Sequence, residues 1–187
     1  MKSQDIAVLL KLISLQQREN KSENYASSDE DDPYSMRSLG ASLGISKSEI
    51  NNSINRSLNS GLARREWDSS HPIVNRKALF KFILNGLKYV FPVKPGALAR
   101  GLPTGFAAPV LQEKILSAGE DIFIWPDANG SHKGQAIAPL YKNIPLAAQQ
   151  DANLYDYLAI IDAIRLGNPR EVKIASELLE NKLFADD

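Results

Sequence analysis

Asn51, Asn52, Asn55 and Asn59 crowd one short stretch of this chain, interleaved with Ser48 and Arg56 and preceded by Ser46 and Lys47. A carboxamide donates and accepts at once, so it can pair with the N6/N7 edge of adenine. A guanidinium fits the O6/N7 edge of guanine or a phosphate oxygen. Asparagine is a poor helix former, so its concentration here goes against local propensity, a departure expected where a partner rather than folding sets the residue. The alternative is a polar solvent face with no partner. Lys47 and the free N–H groups that follow Ser46 suit a phosphate. Arg37 lies upstream, and Arg64 and Arg65 lie downstream.

These residues sit in an unevenly charged chain. The 187 residues carry 22 basic and 22 acidic side chains, so the net charge is zero. Residues 36–101, however, hold 11 basic and 3 acidic residues, net +8, between flanks of net −3 and −5. A basic middle between acidic flanks points to a local anion-binding surface. The run Asp29-Glu-Asp-Asp32 before Pro33 reads as a solvated connector, or as an acidic decoy competing for that surface.

Other chemistries find little support. With no cysteine, disulfides, thiolate nucleophiles and thiolate-bound zinc are excluded. His71 and His132 lack metal-ligand spacing, and Gly101-Leu-Pro-Thr-Gly105 is followed by no Gly-Lys-Ser/Thr, so it is not a phosphate loop. Asp151 and Asp156 have no defensible acid–base spacing. The chain is therefore read as a non-enzyme without metal or cofactor. No apolar run approaches the ~20 residues needed to span a bilayer. Asp5, early in the chain with no small-residue cleavage site after it, argues against a signal peptide, so a cytoplasmic location is expected.

The elements that must position the asparagines follow from periodicity and caps. Residues 4–18 read as a helix with two apolar stripes, Ile6, Leu9, Leu10, Ile13 and Val8, Leu12, Leu15, and hence as buried on two sides. A short helix spans 35–43, with Ser35 as N-cap and Leu39 and Leu43 inward, and Gly44 ends it in the left-handed region. Ser46 caps the next helix, and Glu49 completes a capping box. Ile50, Ile54 and Leu58 form its inward stripe, which leaves Ser48, Asn52, Asn55, Arg56 and Asn59 facing out. Leu62–Trp67 and Ile73-Val74 read as a hairpin around the turn at 68–72, placing Arg64, Arg65 or His71 near a phosphate or a minor groove; for His71, a plain turn role is the alternative. Asn75 caps a helix that runs to about Tyr89.

The run from Met36 to Leu62 resembles the helix-turn-helix of MarR-like and related winged-helix repressors, whose pattern is Leu-Ala-x-x-Leu-Gly-Ile-Ser followed by a helix ending in Gly-Leu. Leu39, Leu43, Gly44, Ile45, Ser46, Ile50, Ile54, Leu58, Gly61 and Leu62 hold the matching places, with Gly40 in place of the alanine. The resemblance covers roughly residues 4–90 and implies a winged helix-turn-helix that binds double-stranded DNA. The stretch from Phe91-Pro92 through Gly105-Phe-Ala-Ala-Pro109, with Ile124-Trp-Pro-Asp127, looks like helix-turn-helix proteins paired with nucleotidyltransferase-type toxins, which would imply an antitoxin or autorepressor role.

The second half reads as an extended segment over 91–112, a β-hairpin from Ile122–Trp125 and Gln135–Ile137 around Asp127–Gly130, and two helices. One helix runs from Asn153 to Leu166 and ends at Gly167. The other is capped by Asn168 with Glu171, and the two form an antiparallel hairpin that docks on the first domain or dimerises. The expected class is thus α+β, mainly α, with a DNA-binding domain at 1–90 and a partner or dimer region at 91–187. The expected function is a sequence-specific DNA-binding regulator, a repressor acting as a homodimer. The alternative is an antitoxin-like module gripping a toxin partner through residues 91–150.

Overall fold

The computed structural model describes residues 1–21, 32–67, 69, 71–112, 114 and 122–185, and the acidic decoy proposed at 29–32 falls outside them except for Asp32. The fold is α+β and mainly helical, with small sheets. Among the described residues no helix is long and apolar enough to cross a membrane. Two compact units divide the chain, Met1–Leu79 with Leu183–Asp187, and Phe80–Lys182.

In the first unit α1 (Ser3–Lys21) is buried on every side along residues 5–15, as two apolar stripes require. Ser35 caps α2 (Met36–Leu43) by accepting from the Ser38 N–H at 3.1 Å. Gly44 follows at φ 64°, ψ 35°, a left-handed conformation that glycine adopts without steric cost. The Ile45 N–H then reaches back to the Gly40 carbonyl at 2.9 Å and seals the helix end. A Cβ on Gly40 would lie 2.6 Å from the Ile45 carbonyl oxygen, so the missing methyl is what lets the corner close this tightly. Ser46 caps α3 (Lys47–Asn59), accepting from the Glu49 N–H at 3.3 Å. β1 (Ala63–Arg64) and β2 (Ile73–Val74) pair antiparallel. Asn75 closes this hairpin, donating to the Gly61 carbonyl, and also caps α4 (Arg76–Asn85). That helix was expected to continue to about Tyr89. It breaks at Gly86, a weak helix residue, and a separate turn, α5 (Leu87–Val90), follows; Gly86 and α5 both lie in the second unit.

In the second unit β3 (Leu98–Thr104) pairs antiparallel with both β4 (Phe123–Pro126) and β5 (His132–Ala136), and β4 and β5 pair parallel, closing a three-stranded barrel. This corrects two expectations. Residues 98–104 are a strand rather than irregular chain, and β4 and β5 are not a hairpin, because each takes a different stretch of β3 as its antiparallel partner. Pro103 and Pro126 fall on the same alternate set of the β3–β4 register, leaving the other set to carry the ladder bonds.

The barrel packs on α8 (Ala152–Leu166) through Asp162, which is buried. Its carboxylate accepts from Trp125 Nε1 at 2.6 Å, Thr104 Oγ1 at 3.0 Å and Arg165 Nη1 at 2.7 Å, and Arg165 also donates to the Phe91 carbonyl. Asp151 caps α8, and Asp156 pairs with Lys182 at 2.9 Å, so both have structural partners. The short helices α6 (Pro109–Gln112) and α7 (Ile144–Gln150) were not anticipated. Asn168 and Glu171 form the expected reciprocal cap of α9 (Pro169–Leu183). Tyr157 Oη donates to the Lys182 carbonyl, so the end of α9 is tied to α8 at Tyr157 and Asp156.

The barrel is so tight that a Cβ on Gly101 would strike the Trp125 carbonyl oxygen. Gly101→Ala should therefore lower the stability of this unit by about 3 kcal/mol, read as a lower urea midpoint of the near-UV signal of the buried Trp125.

Candidate nucleic-acid interface

α3 presents one face to solvent. Lys47, Ser48, Asn51, Asn52, Asn55 and Asn59 are exposed, while Ile50, Ser53, Ile54 and Ser57 are buried. No carboxylate stands on the exposed amide face. Of the first-turn groups, the Ser46 hydroxyl serves as the cap and lies 3.2 Å from the Ser48 hydroxyl. Arg37 is exposed in the first turn of α2, and Arg65 is exposed just after β1. Neither makes an ion pair with any described residue.

Arg56 departs from its expected place. It was read as the cation on the outward face, but it turns toward the start of α1. Its Nε and Nη2 donate to Asp5 at 2.9 and 2.7 Å, and Nη2 also reaches Glu49 at 2.8 Å. Asp5 has no exposed side-chain surface, and Arg56 keeps a quarter of its own. The reason is electrostatic, since a buried carboxylate is retained only where a cation and hydrogen bonds compensate its lost hydration. Burial alone would raise the Asp5 carboxyl, but the Arg56 guanidinium and the Lys2 backbone N–H outweigh it and hold it below its ordinary 3.8. Hydrogen bonds from Lys2 and Arg56 draw Glu49 down to about 2.

Glu49 was expected to return to the Ser46 N–H and complete the capping box. Its carboxylate instead accepts from Lys2 Nζ at 2.9 Å and Gln4 Nε2 at 2.8 Å, besides Arg56. Of the reciprocal cap, the structure shows the Ser46 half. The sequence signal was available, because Asp5 is an acid at the edge of an apolar stripe and so called for a cation from a neighbouring helix.

The hairpin follows α3 directly. The Leu62 N–H donates to the Ser57 carbonyl at 3.0 Å, and β1 starts at the next residue. Arg64 is exposed and paired with Glu66 at 2.6 Å, a contact that costs little to exchange because both partners are solvated. His71 lies flat against Tyr34, with ring centroids 3.7 Å apart and planes at 9°, and Tyr34 donates to Glu19 at 2.7 Å. It is held in that stack rather than turned toward a groove.

The structure thus gathers Lys47, Ser48, Asn52, Asn55 and Asn59 on one exposed helix face, and it withdraws Arg56 from that face. Among the described residues no group of His, Asp or Glu could hold a metal ion. Compared with known proteins, the chain matches no family model, no curated protein and no solved structure.

Arg56→Met would strand the Asp5 carboxylate inside the core and should cost about 3 kcal/mol, the low end for a broken buried pair because Arg56 is partly solvated. The folded pKa of Asp5 lies below its unfolded value, so the pair's contribution is full above about pH 4 and is lost as pH falls through the folded value. Asp5→Asn should accordingly flatten the fall in stability on acidification. An unchanged acid limb would show that this pair is not what acid breaks.

Proposed function

We propose that the chain is a sequence-specific double-stranded DNA-binding regulator of winged helix-turn-helix type, with α3 as the helix that enters the major groove. The observation that carries this reading is the exposed amide face of α3, offered on a helix that follows a tight corner at Gly44. Asn52, Asn55 and Asn59 offer paired donor and acceptor groups of the kind that read adenine. Lys47 and Ser48, at the helix start, suit a phosphate that the free N–H groups can also reach. Arg37 and Arg65 add exposed positive charge on either side of α3 in sequence. Arg56 acts as a positioning residue, tying α3 to α1.

The test begins with selection of duplexes from a random pool by the purified full chain, followed by titration of the winning site. Asn55→Ala should cost roughly 1–3 kcal/mol on that site and little on unrelated duplexes. Lys47→Ala should weaken all duplexes alike and reduce the slope of log affinity against log salt by about 0.9. Failure of the pool to enrich any duplex would overturn the reading.

A further inference from the structure

The chain has two tryptophans, and they are placed oppositely. Trp125 is fully enclosed, whereas Trp67 is fully exposed, at 107% of its reference accessibility. Trp67 lies between β1 and β2, within a turn closed by the Ser69 N–H on the Glu66 carbonyl. The base of that connection is fixed, since Ser69 donates to the His71 carbonyl at 2.7 Å and the His71 ring lies on Tyr34. Its tip therefore holds a large apolar ring away from any core.

Such a ring buries no surface in this fold and stays open to a partner. The side chains around it select one. Arg65 is exposed and makes no ion pair with a described residue, and among the described residues Arg64 pairs with exposed Glu66. Arginines two and three residues before an exposed aromatic ring suit a polyanion whose bases carry flat apolar faces. The hairpin also issues from the end of the helix that carries the amides.

Resting on the reading of α3 given above, we propose that Trp67 is an apolar wedge. As α3 occupies the major groove, the indole enters the adjacent minor groove and stacks against a base step, partly opening it. Pyrimidine–purine steps unstack most easily, so the wedge would add a preference for TA or CA at a position that α3 does not touch.

The test uses the full chain and its selected duplex. Binding is followed by anisotropy of labelled DNA, and Trp67 by acrylamide quenching after subtraction of the Trp67→Phe spectrum, which contains Trp125 alone. Duplex binding is expected to reduce quenching of Trp67 several-fold. Trp67→Ala should weaken binding roughly tenfold, in the range found for base–aromatic stacking, with an unchanged Tm, and Trp67→Phe should retain most of the affinity. Replacing the flexible step by an A-tract should weaken the unsubstituted chain but not Trp67→Ala.

Unchanged quenching in the bound complex, or wild-type affinity of Trp67→Ala, would overturn the wedge and leave α3 as the reader. Tighter binding to the single strand than to the duplex would also overturn it, in favour of a stacking platform. No anisotropy change with any duplex would remove the α3 reading itself.

Discussion

A carboxylate without access to water sits near the start of α1, and the guanidinium that neutralises it comes from α3. This pair constrains more than the distance between two helices, because with the buried stripe of Ile50, Ser53, Ile54 and Ser57 it sets the rotation of α3 about its own axis. With Arg56 and Glu49 held on the flank facing Asp5, a turn of about 100° per residue carries Asn52, Asn59, Ser48 and Asn55 some 40° to 100° further round, into solvent. A helix free to roll would not present a constant row of amides. The ion pair thus turns a sequence of side chains into a surface, and it does so without occupying that surface itself.

The termini of these helices were legible because caps are local. Ser35, Gly44, Ser46, Asn75 and Asn168 each act within a few residues of themselves, and each sits where a helix starts or stops. The rotation of α3 was not legible. Reading Ile50, Ile54 and Leu58 as its buried stripe places Arg56 outward, but the structure buries Ser53 and Ser57 and leaves Leu58 partly exposed. Small hydroxyl residues look like solvent residues in a sequence. Here the Ser57 hydroxyl is satisfied by the Ser53 carbonyl at 2.9 Å, one turn back, so it can be buried without an external partner.

The second unit shows the same limit at longer range. β4 was visible as an apolar run, and five residues then separate it from β5, which favours a hairpin by proximity. The true antiparallel partner of both is β3, hidden in a segment rich in proline and glycine. Those residues mark tight packing here. Gly101 admits the Trp125 carbonyl, and the prolines take register positions that leave the ladder intact. The anchor on α8 depends on Asp162, which draws Thr104, Trp125 and Arg165 to one buried carboxylate. Burial pushes that carboxyl up, against the opposing charge of Arg165 and the hydrogen bonds it accepts.

Arg76 donates to the carbonyl of Leu183 at 2.8 Å across 107 residues of chain, and Leu183 is buried in the same compact unit as α1, α2 and α3. During synthesis the helices that carry the amide row leave the ribosome early, but this bond must wait until the whole of the second unit has been translated. The nascent first unit therefore passes through an unfinished state whose duration is set by translation speed and by how fast the intervening strands and helices consolidate. Folding of the first-made part is thus coupled in time to the last-made part.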